Sequence, residues 1–314
     1  MSDLQRARNM PYHLTAEELA MYVAPKLDIT DSKPRLRKWI KRSIFESSER
    51  VIFSGADPLI IQGLRRPMDV AVEMREHLPP DMGGFMPKII TNFQVKDTSF
   101  LVYRAPHGGE PLAEDIPRVV SSLIQMHSLL NKLWGERNYP EDLGDSTSPF
   151  KGLIKLGLRV EKLQKKIKFI IEKGKGLEIY HDIYYDYESG LLHGDVGIDN
   201  VFVTDKKVIF EGGPSASGSQ LVDIAYLLES ARMYYEDYDW SPVLDFLSDY
   251  YETDREKIEV DMVLATVICN ADLINWFDRI VTELAPDYED LYDHLIEERV
   301  EYLCDYIESK SDFF

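Results

Sequence analysis

The chain has 314 residues, of which 44% are hydrophobic, and it carries a formal net charge of −19 with a pI near 4.8. This length and apolar content can bury a substantial core, in one large or two modest domains. The acidity argues against a protein that binds nucleic acid over its whole surface, because attraction to phosphates requires a positive surface. It favours either plain solubility, including adaptation to salt, or an acidic pocket for a cationic ligand.

The cysteines and the N-terminus predict a protein of a reducing compartment. Cys269 and Cys304 lie far apart in helix-like apolar patterns, so we expect inert core residues rather than a zinc site or a redox pair. Residues 1–13 lack the apolar run of a signal peptide. The sequence contains no run of about 18 apolar residues, so we expect no membrane-spanning helix. We therefore expect a cytoplasmic protein that has no membrane partner.

The first third is predicted to contain a helix and then a small antiparallel sheet. The helix covers 14–28, with Thr15 as its N-cap and Glu18 three residues later. A second helix is predicted at 67–78, with Pro67 in its first turn. Apolar runs bounded by turn residues predict the strands, which are 41–47 and 50–55 joined by a turn at 48–49, then 58–64, then two strands within 87–105.

The remainder of the chain is predicted to be mostly helical after a glycine-proline break at 108–112. Apolar residues at helical spacing predict helices at 115–134, 151–176, 221–236, 241–251, 257–280 and 287–309, with a loop at 138–150. The lysines of 151–176 indicate a solvated face, and contact with an anionic ligand is the alternative. The predicted domains are an N-terminal helical extension (1–34), a sheet with one helix (35–107) and a helical domain (108–314).

The stretch "LLHGDVGIDNVFVTDKKVIFEGG" (191–213) brings three polar side chains to strand ends. The runs at 201–203 and 207–210 predict a short hairpin, which would bring Asn200 near Glu211, with Asp195 close by. Carboxylate and amide oxygens suit Mg²⁺, and a carboxylate outside the metal shell could accept a hydroxyl proton. This set of groups suits phosphoryl transfer from a nucleotide to an alcohol, although Asp, Asn and Gly also simply form turns.

The same residues carry a resemblance to a known family. "HGD" at 193–195, followed after four residues by Asn200, resembles the HGDxxxxN loop of the aminoglycoside phosphotransferase and choline kinase-like family. Glu211 is followed by Gly218 and then by "DIA" (223–225), at the spacing that the family shows after its metal-binding Asp. Residues 100–112 resemble the family's hinge strand and 122–130 its next helix, so the resemblance covers roughly 40–230.

This resemblance implies an α+β, two-lobe protein-kinase-like fold, with a small β-rich N-lobe and a larger, mostly helical C-lobe. ATP or GTP would be the phosphate donor, with Mg²⁺ or Mn²⁺ as the metal. Asp195 would orient and deprotonate the acceptor hydroxyl, and His193 would brace the loop. Asn200 and Glu211 would hold the metal, while a buried Asp223 would accept backbone N–H bonds from the loop. The adenine contacts would come from backbone groups of Leu101, Val102, Tyr103 and Arg104.

Three features depart from the family pattern. Glu211 replaces the metal-binding Asp, and its extra methylene moves the carboxylate about 1.5 Å further out. Gln62 stands where a Lys would pair with the phosphates and with a helix carboxylate, here Glu73 or Glu76, although Arg65 and Arg66 lie just beyond. The segment 46–49, at the place of a phosphate-covering loop, has two glutamates and no glycine.

These departures leave two functions open: a small-molecule phosphotransferase, or a catalytically impaired, pseudokinase-like protein that binds a nucleotide, a ligand or a protein. The eleven residues between Glu211 and Asp223 are too few for a segment that docks a peptide, which favours a small hydroxyl-bearing acceptor. Asp272, Trp276 and Asp278 are acceptor-site candidates, because carboxylates and aromatic faces together suit a cation. The alternative is that these side chains are ordinary core and solvated-face residues.

Overall fold

The structure is a computed structural model, and it describes residues 12–27, 34–42, 46–54, 56–65, 82, 84–136, 149–173, 187, 189–213, 216–236, 238–284 and 289–313. The chain divides into two compact units. The first unit comprises Met1–Glu110 and Asn200–Ser215, and the second comprises Pro111–Asp199 and Ala216–Phe314. The division at Glu110 and Pro111 lies inside the glycine-proline break of the sequence.

The N-terminal helix forms where the capping signal predicts it. Helix α1 (Ala16–Tyr22) begins with a capping box, in which the Glu18 amide donates to the Thr15 hydroxyl and the Thr15 amide donates to the Glu18 carboxylate, at 3.2 and 2.8 Å. The helix is shorter than predicted, because the chain tightens into a 3₁₀ turn over Ala24–Leu27. Leu14, Leu19 and Val23 pack into the core of the first unit.

Five strands form one antiparallel sheet in the first unit, in the order β1-β2-β3-β5-β4. Their bounds are Leu36–Arg42, Glu46–Ile52, Leu59–Arg65, Ile89–Val95 and Thr98–Arg104 for β1 to β5. The turn predicted at 48–49 is wrong, because those residues lie inside β2. The turn between β4 and β5 was predicted correctly, and Lys96 takes a positive φ of 56° there. The predicted helix at 67–78 lies outside the described residues.

The two faces of the sheet bury different apolar sets, because side chains alternate along each strand. One face carries Leu59, Ile61, Phe100 and Val102, which join the side chains of α1 in one core cluster. The opposite face carries Ile60, Leu64, Leu101 and Tyr103. The N-terminal helix therefore covers one face, and the other face belongs to the candidate site.

A short hairpin from the second half of the chain also belongs to the first unit. Strands β7 (Val201–Val203) and β8 (Val208–Phe210) pair antiparallel, as the sequence predicted. Val203 pairs with Gly109 through two backbone hydrogen bonds, and the Phe210 amide donates to the Phe85 carbonyl at 2.7 Å. The hairpin is thereby anchored within its unit on both of its strands.

The second unit is mostly helical. It also contains a two-stranded antiparallel sheet, formed by β6 (Ser189–Leu192) and β9 (Ala216–Ser219). The sequence patterns did not predict this ladder. The helices are α2 (Ile116–Glu136), α3 (Pro149–Arg159), α4 (Gln164–Lys173), α5 (Gln220–Tyr234), α6 (Ser241–Tyr251), α7 (Arg255–Arg279) and α8 (Glu289–Ser309).

The single helix predicted at 151–176 is wrong, because two helices replace it. Val160 leaves the helical region with φ −111° and ψ 90°, and a 3₁₀ turn follows before α4 begins. The lysines of this segment are mostly exposed, as expected for a solvated face. Lys162 and Lys166 pair with Glu297 and Glu301 of α8.

Helix α7 is the central helix of the second unit. The stretch Arg255–Thr282 is long and apolar enough to cross a membrane by length and composition, but 61% of its most apolar window is buried inside the protein. Cys269 lies in this buried part, and Cys304 of α8 is buried as well. Burial raises the pKa of the Cys269 thiol well above its usual value and that of Cys304 to about 11. Both thiols are therefore unreactive at neutral pH.

Candidate active site

Asp223 holds the backbone of the HGD loop in the second unit. Its carboxylate lies in the first turn of α5 and is 3% exposed. It accepts hydrogen bonds from the amides of His193 and Gly194, at 2.7 and 3.0 Å. Gly194 takes a φ of 81°, a conformation that favours glycine. The Asp223 carboxylate thus anchors the start of the loop that follows β6.

A buried histidine supplies the third contact of this carboxylate. Nε2 of His127, on α2, lies 2.8 Å from Oδ2 of Asp223. Burial would raise the pKa of Asp223, but the hydrogen bond and charge of His127, together with His193 and the Gly194 amide, hold it below its usual value. The carboxylate is therefore ionised at neutral pH. The sequence indicated the helix that carries His127, but it predicted no role for this side chain.

Asp195 follows the fixed loop and meets a tyrosine hydroxyl. The Asp195 amide lies 3.2 Å from Nδ1 of the buried His193, so the ring braces the turn from inside. Tyr226, one helical turn beyond Asp223 on α5, donates its hydroxyl to Oδ1 of Asp195 at 3.2 Å. Burial, and then the charge of Asp195, raise the pKa of this tyrosine far above its usual value. Tyr226 therefore stays protonated and remains a donor to the carboxylate.

The first unit contains the predicted metal pair. Asn200 and Glu211 are 7% and 5% exposed, and the Glu211 amide donates to the Asn200 carbonyl at 2.8 Å. The hairpin therefore brings the two residues together, as its pattern predicted. Glu211 directly follows β8, and its carboxylate oxygen Oε1 accepts a short hydrogen bond from the Tyr103 hydroxyl. No sequence pattern indicated that contact.

This pair fits a hard divalent cation. An amide and a carboxylate are oxygen ligands, and Mg²⁺ typically takes one or two protein ligands and completes its shell with phosphate and water. Within the described part of the chain, no three His, Cys, Asp or Glu side chains cluster as a metal site. A cation at Asn200 and Glu211 would thus depend on nucleotide oxygens for most of its ligands.

Gln62 is buried in the sheet, at 3% exposure. It alternates with Ile61 and Gly63 on β3 and pairs with Leu101 of β5, so it lies on the face of Tyr103 rather than on the face covered by α1. The partner predicted for this position, Glu76, lies outside the described residues. Glu73 and Arg66 lie outside them as well.

The strand predicted to contact adenine lies in the interior of the sheet. Leu101, Val102 and Tyr103 pair with β3 on one side and with β4 on the other. Their backbone groups are used by these ladders, which leaves no row of amides and carbonyls for a base. Arg104 ends the strand and forms an ion pair with Asp57. The adenine contacts of these four residues stay a prediction.

The segment 46–49 is strand rather than a phosphate-covering loop, so that interpretation is wrong. Ser47, Ser48 and Glu49 are buried in β2. Arg37 of β1 donates two hydrogen bonds to the Glu49 carboxylate, at 2.5 and 2.7 Å. An arginine on the neighbouring strand therefore compensates the negative charge that Glu49 brings into the sheet.

The three acceptor-site candidates differ in their surroundings in the second unit. Desolvation raises the pKa of Asp272 to about 7. Asp278 forms an ion pair with Arg159, and Trp276 is partly buried. A pocket of about 550 Å³ in this unit has other walls, which include Glu229, Tyr238, Trp240, Tyr302, Asp305 and Tyr306. Glu229 is 6% exposed and accepts from the Tyr302 hydroxyl at 2.6 Å. The acceptor roles of the three candidates stay predictions.

Comparison of the sequence with family models and with curated proteins gives no match. Comparison of the structure with solved structures gives matches along nearly the whole chain. A mutant aminoglycoside 2'-phosphotransferase IIIa in complex with GDP matches with a TM-score of 0.61 and 14% identity, over 91% of this chain and 97% of that one. Choline kinase from Cryptosporidium parvum matches with a TM-score of 0.59 and 12% identity, over 95% of each chain.

Ethanolamine kinase from Plasmodium vivax matches with a TM-score of 0.58 and 14% identity, over 86% of this chain and 82% of that chain. These identities are low, so the likeness establishes the fold and leaves the activity to the site. The chain has the two-lobe protein-kinase-like fold that the sequence predicted, with an antiparallel sheet in the smaller lobe and helices in the larger.

Proposed function

We propose that this protein is a phosphotransferase that moves the γ-phosphate of ATP or GTP to a hydroxyl of a small molecule. The observation that carries the proposal is the HGD loop, in which Asp223 fixes the backbone and Tyr226 faces the carboxylate of Asp195. A general base must be held in one orientation, and these contacts supply that constraint. The shared fold supports the proposal, because the three solved structures described above are kinases or phosphotransferases of small molecules by name.

In this reaction Asp195 receives the proton of the acceptor hydroxyl. The acceptor oxygen attacks the γ-phosphorus, a new O–P bond forms, and the bond to the β,γ-bridging oxygen breaks. The nucleoside diphosphate leaves with that electron pair. The Tyr226 hydroxyl, which donates to Oδ1 of Asp195, would orient this carboxylate toward the acceptor hydroxyl. The protein contributes mainly by positioning the reacting groups, because this transition state requires little covalent participation by side chains.

Asn200 and Glu211 would hold Mg²⁺ or Mn²⁺. When bound, such a cation neutralises the charge of the phosphate oxygens and aligns them. Four residues separate Asp195 from Asn200, so their Cα atoms lie at most about 18 Å apart by chain length alone. The proposal requires both residues to act on the same nucleotide. Gln62 would donate a neutral hydrogen bond where a lysine would supply charge.

An acceptor that carries a cationic group is the class we favour. The helical pocket carries the aromatic side chains of Trp240 and Tyr306 beside the buried carboxylate of Glu229. Its third aromatic ring, Tyr302, stacks on Arg232, which also pairs with Glu229 at 3.5 Å. Cation–π contact is worth about 0.5–2 kcal/mol per group. Glu229 follows Tyr226 by three residues on the same helix, which places the pocket wall next to the residue that contacts Asp195. We also place the protein in the cytoplasm, since both cysteines are free thiols and helix α7 is largely buried.

A catalytically impaired, pseudokinase-like protein that binds a nucleotide, a ligand or a protein is the second candidate. Gln62 favours it, because a buried neutral side chain replaces the lysine that pairs with the phosphates. The two candidates differ in whether nucleotide and metal bind productively, so that a phosphoryl group is transferred.

Thermal unfolding with ATP or GTP, each with and without Mg²⁺ or Mn²⁺, tests whether the protein binds nucleotide together with a metal. A ligand at 100 times its Kd stabilises the folded state by about 2.7 kcal/mol. Release of nucleoside diphosphate in the presence of small amine-bearing alcohols then separates the two candidates. We expect transfer that is lost in Asp195→Asn and kept in Asp205→Asn, whose exposed carboxylate lies in the β7–β8 turn. Metal-dependent binding without transfer to any acceptor, or no response to any nucleotide, would refute the phosphotransferase and favour the impaired protein.

A further inference from the structure

The carboxylate of Glu211 is held by a side chain of the same unit. The Tyr103 hydroxyl donates to Oε1, and both residues are buried, at 0% and 5% exposure. Tyr103 itself belongs to a cluster with Ile60, Leu64 and Leu101 in the interior of the sheet. Packing therefore fixes the position of the Tyr103 hydroxyl, and the Glu211 side chain must be long enough to reach it.

The backbone at Glu211 is fixed as well. The Phe210 amide donates to Phe85, and the Glu211 amide donates to Asn200. Gly212 and Gly213 then take φ values of 92° and 41°, which turn the chain at once. With the backbone held on both sides, only the length of the side chain can bring the carboxylate to Tyr103.

This arrangement gives a reason for glutamate at position 211. Aspartate has one methylene fewer, so its oxygens would stop about 1.5 Å short of the glutamate positions. A hydrogen bond between two oxygens tolerates little stretching beyond about 3 Å. Aspartate at this position would therefore lose the hydrogen bond with the Tyr103 hydroxyl, which glutamate is long enough to form.

We propose that Tyr103 is a positioning residue: its hydroxyl, on Oε1, orients the Glu211 carboxylate that would hold a divalent cation. The inference rests on the proposed function in taking Glu211 as a metal ligand. Carboxylates that bind metals are usually oriented by a hydrogen bond from a further residue, and loss of that partner typically costs about 10–100-fold in metal affinity. The glutamate and the tyrosine together would do what a shorter carboxylate does alone.

Replacing Tyr103→Phe removes the hydroxyl and keeps the ring in the cluster. We expect Mn²⁺ to bind about 10–100-fold more weakly to the variant, measured by electron paramagnetic resonance in the presence of a non-hydrolysable nucleotide. Tyr22→Phe is the matched control, because the Tyr22 ring stacks on Phe93 in the same unit, with 4.5 Å between centroids. Unchanged or tighter Mn²⁺ binding by folded Tyr103→Phe would overturn the inference.

Glu211→Asp tests the same inference without touching the tyrosine. We expect it to bind Mn²⁺ more weakly than the natural protein, although aspartate is a good ligand for this cation. Adding Tyr103→Phe to Glu211→Asp should then change the affinity less than threefold, because the contact is already lost. Tighter Mn²⁺ binding by Glu211→Asp would also overturn the inference.

The outcomes separate this inference from the proposed function. Mn²⁺ binding that depends on Tyr103, in a protein that transfers no phosphoryl group, would support the inference while the proposed reaction fails. Phosphoryl transfer with Mn²⁺ affinity indifferent to Tyr103 would support the reaction and overturn the inference. A natural protein that binds no Mn²⁺ in the presence of nucleotide would overturn both the inference and the metal site on which it rests.

Discussion

The Asp223→Asn substitution removes the negative charge of a carboxylate that accepts three hydrogen bonds. The His193 amide and the His127 ring both donate to Oδ2, and the Gly194 amide donates to Oδ1. An asparagine keeps two of the three bonds if its carbonyl takes the Oδ2 position, but its NH₂ group then faces the Gly194 amide. One buried donor is therefore left unsatisfied, whichever way the amide is turned.

The cost follows from these three contacts. An unsatisfied buried donor costs about 1–3 kcal/mol, and two hydrogen bonds that lose their charged acceptor weaken by about 1 kcal/mol each. Relief of the desolvation of a buried carboxylate offsets part of this cost. We expect Asp223→Asn to lower the free energy of unfolding by about 2–4 kcal/mol, a large share of the usual stability of a domain.

Urea unfolding followed by circular dichroism measures this difference, with Asp205→Asn as the charge-matched control. The exposed control should stay within about 0.5 kcal/mol of the natural protein. A loss below about 1 kcal/mol in Asp223→Asn would show that this carboxylate does not hold the HGD loop. Other contacts would then have to fix the backbone at His193 and Gly194.

The acid dependence of stability provides a second measure of the same contacts. The folded-state pKa of Asp223 is depressed, so its contribution is present above the unfolded pKa of about 3.9 and is lost as the pH falls through the lower folded value. The natural protein should therefore lose its advantage over Asp223→Asn below about pH 4. An advantage that stays constant from pH 6 to pH 3 would contradict this assignment.

Three further predictions concern single side chains. Tyr226→Phe should lower kcat about 10-fold at unchanged KM, because the Tyr226 hydroxyl orients Asp195 without touching the acceptor. Initial rates of phosphoryl transfer measure this effect, and a change in KM alone would contradict the prediction. Thr15→Ala should cost about 1 kcal/mol in urea unfolding, because it breaks the capping box with Glu18, and a loss below about 0.3 kcal/mol would mean that α1 needs no cap. Trp240→Ala should raise KM for a cationic acceptor about 3–30-fold but spare a neutral one, and equal effects on both would refute a cation site.

The elements that the sequence predicted well are those whose signals are local. Helix α2 and helices α5 to α8 have apolar residues at helical spacing, and the β7–β8 hairpin has a polar turn between two apolar runs. The resemblance around Asp195 predicted that Asp223 accepts backbone hydrogen bonds from the HGD loop, as it does in the structure. Each of these signals lies within about 30 residues of the chain.

The predictions that failed required information from distant residues. Polar residues at 48–49 resemble a turn, but Arg37 on the neighbouring strand compensates Glu49 within the sheet. Val160 itself carries no break signal, and although Gly157 lies three residues before it, no proline marks the end of the helix. The contact of Tyr103 with Glu211 joins residues 108 positions apart, and a single sequence contains no signal for such a pair.

The position of α1 in the chain has a consequence for synthesis. The Tyr12 amide donates to the Thr98 hydroxyl, 86 residues further along, and Leu19 packs against strands that are made later. Helix α1 is translated before the strands that it covers, so its apolar side stays uncovered until most of the sheet has been translated. A chain that lost this segment would keep all five strands but expose one apolar side of them, and we expect such a chain to self-associate.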